Sequence, residues 1–260
     1  MNQLLTPSLT LQKLTPDHRL WIQQSVVAEA VVPVRNPQDL ARRFKQDRCT
    51  FVALLNHREV VGFVHVALVS SFPTTLESIL SGPIDTQTPK YGVFYGITRA
   101  SDKIRGQARA ILDQASARLL EEWPDLTLAT FSPMPTFRSW LEQELQEVVD
   151  DVPALLDSLG RRASAGLLSV PASLVVENLA RYYLRTQDDK HRLADPVARF
   201  HIGNGASLQR ILVGANGSWR GQKQSLGVMA SYQYHPEWSD EEPQLNQELE
   251  PLLKRLILLG

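Results

Sequence analysis

At 260 residues, with 43% hydrophobic and 21% charged residues, the chain is long enough for one substantial core and too apolar to be disordered. A formal net charge of -1 excludes a global electrostatic case for nucleic acid or an anionic membrane surface. An anionic ligand would need a local cluster. A single cysteine, Cys49, excludes an intramolecular disulfide and a Cys-based zinc site.

The opening MNQLLTPSLTLQKL lacks a basic start followed by a long apolar core, so it is a poor signal peptide. No run of about 18 apolar residues is present to span a membrane. Residues from about Thr15 to Ala30 read as a helix with Pro16 and Asp17 at its start. Residues 1–31 are taken together as an N-terminal helical extension. Asn36-Pro37 predicts a second helix, PQDLARRFKQ, with Asn36 as cap and Pro37 at the first helical position. The basic run from Ala41 to Arg48 reads as a solvated helix face, with an acidic carrier protein or CoA phosphates as the alternative. Cys49 to Asn56 and Val60 to Val69 read as two strands of a hairpin around a polar turn. Cys49, at the start of the first, reads as a buried inert thiol, which fits a cytoplasmic location.

Thr74 to Leu80 is helix-like, and Gly92 to Thr98 is a third strand. Residues 102–122 carry Ile104, Ala108, Ile111, Leu112, Ala115 and Leu119 at helical spacing. Leu126 to Phe131 is a fourth strand, ending at Ser132. Residues 138–185 read as a helical insertion with breaks near Asp150 and Gly160. Thr186 to Asp195 reads as a loop, and late strands near Leu208 to Val213 and Leu226 to Tyr234 flank a turn, GANGSWRG. The C-terminal LLKRLILLG reads as the end of a packed helix. Without a linker-like tract, a single domain is the economical reading.

Three stretches carry candidate chemistry. Lys103-Ile104-Arg105-Gly106-Gln107-Ala108 lies where a strand turns into a helix, and free N–H groups there suit a pyrophosphate. Its spacing resembles the acyl-CoA loop of the GCN5-related acetyltransferase fold. A plain helix start with solvated charges is the alternative. Ser132, in Phe-Ser-Pro-Met-Pro, sits at a strand end stiffened by two prolines. It either holds a ligand or caps the following helix. His201 precedes Gly203-Asn204-Gly205, where a tight turn would converge N–H groups beside a side chain that titrates near neutrality. A packed, structural histidine is the alternative. The chain has no G-x-S-x-G elbow, no H-E-x-x-H and no P-loop, which argues against a standard hydrolase, a zinc site of that kind and a P-loop NTPase.

Taken together, PVRNPQDLARRF, CTFVALL with VHVALV, GVFYGIT, KIRG, WPDLTLATFSPMPTFRSWL, LARYYL, DPVARFHIGNGA and GVMASYQY resemble, in order, the catalytic domain of the malonyl-CoA decarboxylase family. The most specific segments are Ser-Pro-x-Pro and Phe-His-x-x-Asn-Gly-Ala. The resemblance implies an α/β fold of the GCN5-related acetyltransferase type, with a mixed central sheet flanked by helices. It implies decarboxylation of malonyl-CoA to acetyl-CoA and CO2, with Ser132 and His201 as catalytic residues. Lys103, Arg105, Gly106, Ala108, Asn204, Gly205 and Tyr234 become the expected substrate-binding residues.

No metal or organic cofactor is expected. The expected partners are an acyl-CoA substrate and, as an alternative, an acyl carrier protein. Self-association into an oligomer is also compatible, whereas nucleic acid and membrane are not expected. An acyltransferase without decarboxylation is the third reading. The chain departs from the family pattern at Gln107 and Ala108, where a Glu is often found. It also departs at Thr136, where Gly is usual, and in ILVGANGS. On this resemblance, the N-terminal helical domain of full-length members is not expected within these residues.

Overall fold

The computed structural model describes residues 9–15, 20–30, 32–44, 48–55, 59–81, 88–99, 101, 108–234 and 248–259. The chain divides into two compact units, Met1–Pro73 with Ile79–Ala129, and Thr74–Ser78 with Thr130–Gly260.

In the first unit the strands β1 (Leu9–Lys13), β2 (Arg48–Leu55), β3 (Glu59–Val69), β4 (Tyr91–Arg99) and β5 (Thr127–Thr130) lie side by side in that order. The pairs β1–β2, β2–β3 and β3–β4 are antiparallel. Strands β2 and β3 are apolar almost without interruption because both faces are covered. On one side α1 (Leu20–Glu29) sets Ile22 and Val26, one helical turn apart, against Leu14, Val52, Leu54, Val60 and Phe63. Each such fully buried side chain contributes roughly 1.5–3 kcal/mol. The amphipathic stretch expected at 102–122 is described from α4 (Ala108–Glu122), which turns Ile111, Leu112, Ala115 and Leu119 inward.

Two expectations about this unit change. Leu9–Lys13 was expected to lie in a helical extension but forms β1, because its alternating Leu-Thr-Leu pattern pairs along β2 from Leu55 to Phe51. The basic run is only in part a solvated face, since two of its arginines are buried. The helix α2 (Pro37–Arg42) is capped as expected, Asn36 Oδ1 accepting the Asp39 N–H at 2.8 Å. The next residue, Arg43, is wholly buried. Its guanidinium donates to Asp39 Oδ2 at 3.1 Å and to the carbonyls of Val32 and Pro33, both at 2.9 Å. Arg48 is buried too and donates to the carbonyl of Ile79. Cys49 is buried, as expected.

In the second unit β8 (Met229–Gln233) pairs antiparallel with β6 (Ser132–Pro133) on one side and β7 (Ser207–Leu212) on the other. The helices are α5 (Phe137–Leu145), α6 (Val152–Ser164), α7 (Val170–Arg185), α8 (Pro196–Gly203), α9 (Trp219–Ser225) and α10 (Leu249–Ile257). The short α3 (Leu76–Ser81) spans a boundary between the units. The caps Asp151, Ser169, Asp195 and Ser218 each accept an N–H of the following first turn. Proline follows three of them, where its missing N–H costs nothing.

Two local expectations shift here, and a third segment without a prior reading becomes defined. Gly160 does not break the insertion but lies inside α6, where a Cβ would sit 3.4 Å from Leu226 Cα, so the glycine permits a close backbone approach. GANGSWRG is only partly a turn, since Ser218 starts α9 within it. The segment before Asn204 is helical, because Asp195-Pro196 starts α8.

Candidate functional site

Ser132 and His201, 69 positions apart in sequence, meet in the second unit. Ser132 opens β6, held in register opposite Ala230 of β8. His201 occupies the last turn of α8. Ser132 Oγ lies 3.0 Å from His201 Nε2, and both side chains are buried. Ser132 does not cap the following helix; Thr136 holds that position.

The polar line runs further in both directions. Ser132 Oγ donates to Thr130 Oγ1 at 2.8 Å, and Thr130 Oγ1 also accepts the N–H of Tyr232 at 3.0 Å. At the other end His201 Nδ1 lies 2.8 Å from the Tyr234 hydroxyl. With the serine proton directed to Thr130, the Ser132 oxygen accepts from the imidazole. His201 therefore carries its proton on Nε2, and Nδ1 accepts from Tyr234.

The imidazole is also fixed on its faces. Tyr232 stacks on it, with centroids 4.7 Å apart and planes at 23°, and Phe200 meets it edge-on at 5.1 Å. Burial lowers the His201 pKa from its ordinary 6.5 to about 3, so the ring is neutral at physiological pH. Burial likewise raises the pKa of Tyr232, with the Asp195 carboxylate adding to the effect, and its phenol stays protonated.

Behind His201, Asp195 caps α8 through the N–H groups of Val197 and Ala198, and accepts the Tyr183 hydroxyl at 3.0 Å. The Asp195 carboxyl is pushed upward by burial, against the pull of those three donors.

Among the expected substrate-binding residues, Tyr234 joins the site directly. Asn204 and Gly205 end α8, where Gly205 has φ +84, a conformation that suits glycine. Their N–H groups are already used: Asn204 donates to the carbonyls of Phe200 and His201, and Gly205 to that of Ile202. The Ala206 N–H likewise returns to His201 O. A turn of converging free N–H groups, as expected from Asn-Gly, is therefore not what forms. Lys103, Arg105 and Gly106 lie outside the described residues, and Ala108 is the first residue of α4.

Thr130, Tyr232, Asp195 and Tyr183 were not singled out from the sequence. Two signals were available. Thr130 and Ser132 stand two apart at a strand end, as do Tyr232 and Tyr234, and alternation puts such pairs on one face. Asp-Pro before an apolar run is a helix start.

A family model described as the malonyl-CoA decarboxylase C-terminal domain matches residues 9–246. Mitochondrial malonyl-CoA decarboxylase from Anser anser anser is 27% identical over 269 residues, covering 88% of this chain and 53% of that protein. The chain thus spans about half the length of the curated relatives it matches. The crystal structure of malonyl-CoA decarboxylase from Cupriavidus metallidurans is 28% identical with a TM-score of 0.72, over 95% of this chain and 64% of that one. A GNAT-like decarboxylase, GphF, matches at 15% identity and a TM-score of 0.52, over 86% of this chain and 98% of that one. The fold is of the GCN5-related acetyltransferase type, as expected. Among the described residues no helix is long and apolar enough to cross a membrane.

Proposed function

We propose that this chain, which belongs to the malonyl-CoA decarboxylase C-terminal domain family, converts malonyl-CoA to acetyl-CoA and CO2, with Ser132 and His201 as its catalytic pair. The observation that carries the reading is the 3.0 Å contact between Ser132 Oγ and His201 Nε2, made by the two segments that resemble the family most closely.

The chemistry asks little of a protein beyond placement. The bond between C2 and the carboxylate breaks, its electron pair passes to the thioester as an enolate, and CO2 leaves. C2 then takes one proton, so the net reaction consumes a proton. The thioester carbonyl is itself the electron sink, and the proposal calls for no metal or organic cofactor. A carboxylate stripped of water and not neutralised by a fixed cation is closer to neutral CO2 than one in solution. A buried, uncharged His201 suits that requirement, since an imidazolium would hold the carboxylate in an ion pair.

Ser132 turns its hydroxyl from Thr130 towards the substrate carboxylate. After CO2 departs, the Ser132 hydroxyl gives its proton to C2 and takes the one on Nε2, while Tyr234 hands its proton to Nδ1 and regains one from solvent. Once product leaves, Nε2 takes a solvent proton through Ser132 as Nδ1 gives its own back through Tyr234, which restores the starting tautomer with one proton consumed overall. Donors for the thioester oxygen lie elsewhere than the 204–206 N–H groups, which are occupied.

Free malonyl-CoA is the proposed substrate, in preference to a malonyl group on an acyl carrier protein. The basic run that suggested a carrier has its Arg43 and Arg48 buried in internal bonds. We place the reaction in the cytoplasm, in keeping with a lone, buried thiol. Mass spectrometry of malonyl-CoA incubated with the protein tests the reading. Acetyl-CoA should form, and His201→Ala should slow its formation by roughly 10²–10⁴-fold, the usual worth of a placed proton donor. Full activity in both His201→Ala and Ser132→Ala would sink it.

A further inference from the structure

The orientation of His201 depends on a short helix. α8 has only eight residues, and two turns do not support themselves in isolation. What holds its ends therefore decides where the imidazole points. A rotation of about 10° about the helix axis swings an atom about 6 Å from that axis by about 1 Å. Misplacement on that scale can cost about a hundredfold in rate.

The C-terminal end is tied by the bonds of Asn204 and Ala206 to the His201 carbonyl. The N-terminal end is tied less usually. Asp195 Oδ1 accepts Val197 N at 2.9 Å and Ala198 N at 2.8 Å, which would suffice as a surface cap. Yet Asp195 is wholly buried, and a carboxylate removed from water is costly unless all its acceptor sites are served. Its second oxygen is served by the Tyr183 hydroxyl of α7 at 3.0 Å. That hydroxyl also bonds Thr136 Oγ1 at the start of α5. Since the tyrosine has one proton and gives it to Asp195, Thr136 must donate to the tyrosine oxygen.

Three helices are thus linked through one carboxylate: Thr136 donates to Tyr183, Tyr183 donates to Asp195, and Asp195 also accepts the first N–H groups of α8. Tyr183 is rigid in its turn, with its ring 5.4 Å from both Phe137 and Trp140.

We propose that Asp195 and Tyr183, steadied by Thr136, are positioning residues for His201: they clamp α8 against α7 and α5, so that Nε2 meets Ser132 and Nδ1 meets Tyr234. Neither touches the reacting atoms. The kinetic part rests on the decarboxylation reading above, while the geometric part does not.

The test uses the whole chain and two readouts. The first is the ring-nitrogen chemical shifts of His201 in histidine-labelled protein, assigned by their loss in His201→Gln. They report its tautomer and hydrogen bonds and need no turnover. The second is the division of any loss between kcat and KM. Tyr183→Phe keeps the ring and removes only the bonds. It is expected to move the His201 shifts and to lower kcat about ten- to a hundredfold, with KM within about twofold. Asp195→Asn keeps an oxygen for the two N–H groups and should retain most of kcat, whereas Asp195→Ala should fall at least as far as Tyr183→Phe. A folded Tyr183→Phe protein with unmoved His201 shifts and unchanged kcat overturns the proposal. If the unaltered protein does not act on malonyl-CoA, the reaction reading fails alone, and the shifts still decide the clamp.

Discussion

Tyr232 stacks on the His201 imidazole at a centroid distance of 4.7 Å, while its own hydroxyl, fully buried, has no hydrogen-bond partner among the described residues. The ring and the hydroxyl therefore contribute differently. The ring fills the space beside His201, whereas the hydroxyl carries a desolvation cost with no bond to offset it. Tyr232→Phe is expected to leave thermal stability unchanged or raise it, and to leave the position of His201 intact. Tyr232→Ala removes the stacked ring and should cost about 3–5 kcal/mol. Thermal or denaturant melts of the two variants separate these contributions, and a Tyr232→Phe protein as unstable as Tyr232→Ala would show that the hydroxyl is bonded after all.

Two buried histidines give the fold a defined response to acid. His201 and His65 are each lowered by burial from 6.5 to about 3. Both are neutral when folded and take up a proton on unfolding, so between those limits the unfolded state binds more protons. Stability should be fully present above about pH 6.5 and be lost as pH falls below it, at about 1.4 kcal/mol per pH unit for each histidine. Denaturant midpoints at pH 7, 6 and 5 measure the slope before most carboxylates titrate. Replacing His201 with Gln should remove one proton from it. A midpoint that does not move between pH 7 and 5 would contradict the buried, neutral state of both rings.

Much of this was legible in the sequence, and the failures share a physical pattern. The hairpin of β2 and β3 and the strand β4 were read from apolar runs, and the pairing of Ser132 with His201 came from the resemblance to the decarboxylase family. Three misreadings came from features whose meaning depends on distant partners. Leu9–Lys13 is a strand only because β2 offers an edge. Arg43 looks solvated in a run of charges, yet it is buried because Asp39 and two loop carbonyls serve every side of its guanidinium that faces them. Gly160 looks like a break and is instead a contact surface for Leu226. The Asn204-Gly205 error was of another kind. The Asp-Pro helix start nine residues earlier was in plain view, and it makes the expected tight turn the C-terminus of a helix.

The Arg43–Asp39 pair predicts a stability effect remote from the chemistry. Both side chains are almost wholly enclosed. Against the upward push of burial, the Arg35 backbone N–H and then the Arg43 guanidinium hold the Asp39 carboxyl below its ordinary range. Arg43→Ala leaves a carboxylate and two loop carbonyls short of donors, and should cost about 3–5 kcal/mol. Arg43→Ala with Asp39→Ala should recover part of that loss, because the stranded charge goes with its partner. Equal melting temperatures for Arg43→Ala and the unaltered protein would mean that water replaces the guanidinium, and that the site is less closed than it is here.

The proton line through His201 makes Tyr234 a sensitive position. Its hydroxyl is the donor that keeps Nδ1 an acceptor, and so keeps the proton on Nε2 towards Ser132. In Tyr234→Phe the imidazole loses that bias while its stacking on Tyr232 remains, so the fold should stand and the reaction should slow. Loss of one such donor in a buried line is expected to lower kcat by about 10²-fold with little change in KM. The kcat profile of the unaltered protein should be flat between pH 6 and 8, because His201 does not titrate there. A steep rise or fall with an apparent pKa near 6.5 would mean that the ring is charged during turnover. The proton would then come from an imidazolium, with Tyr234 needed only to hold it in place.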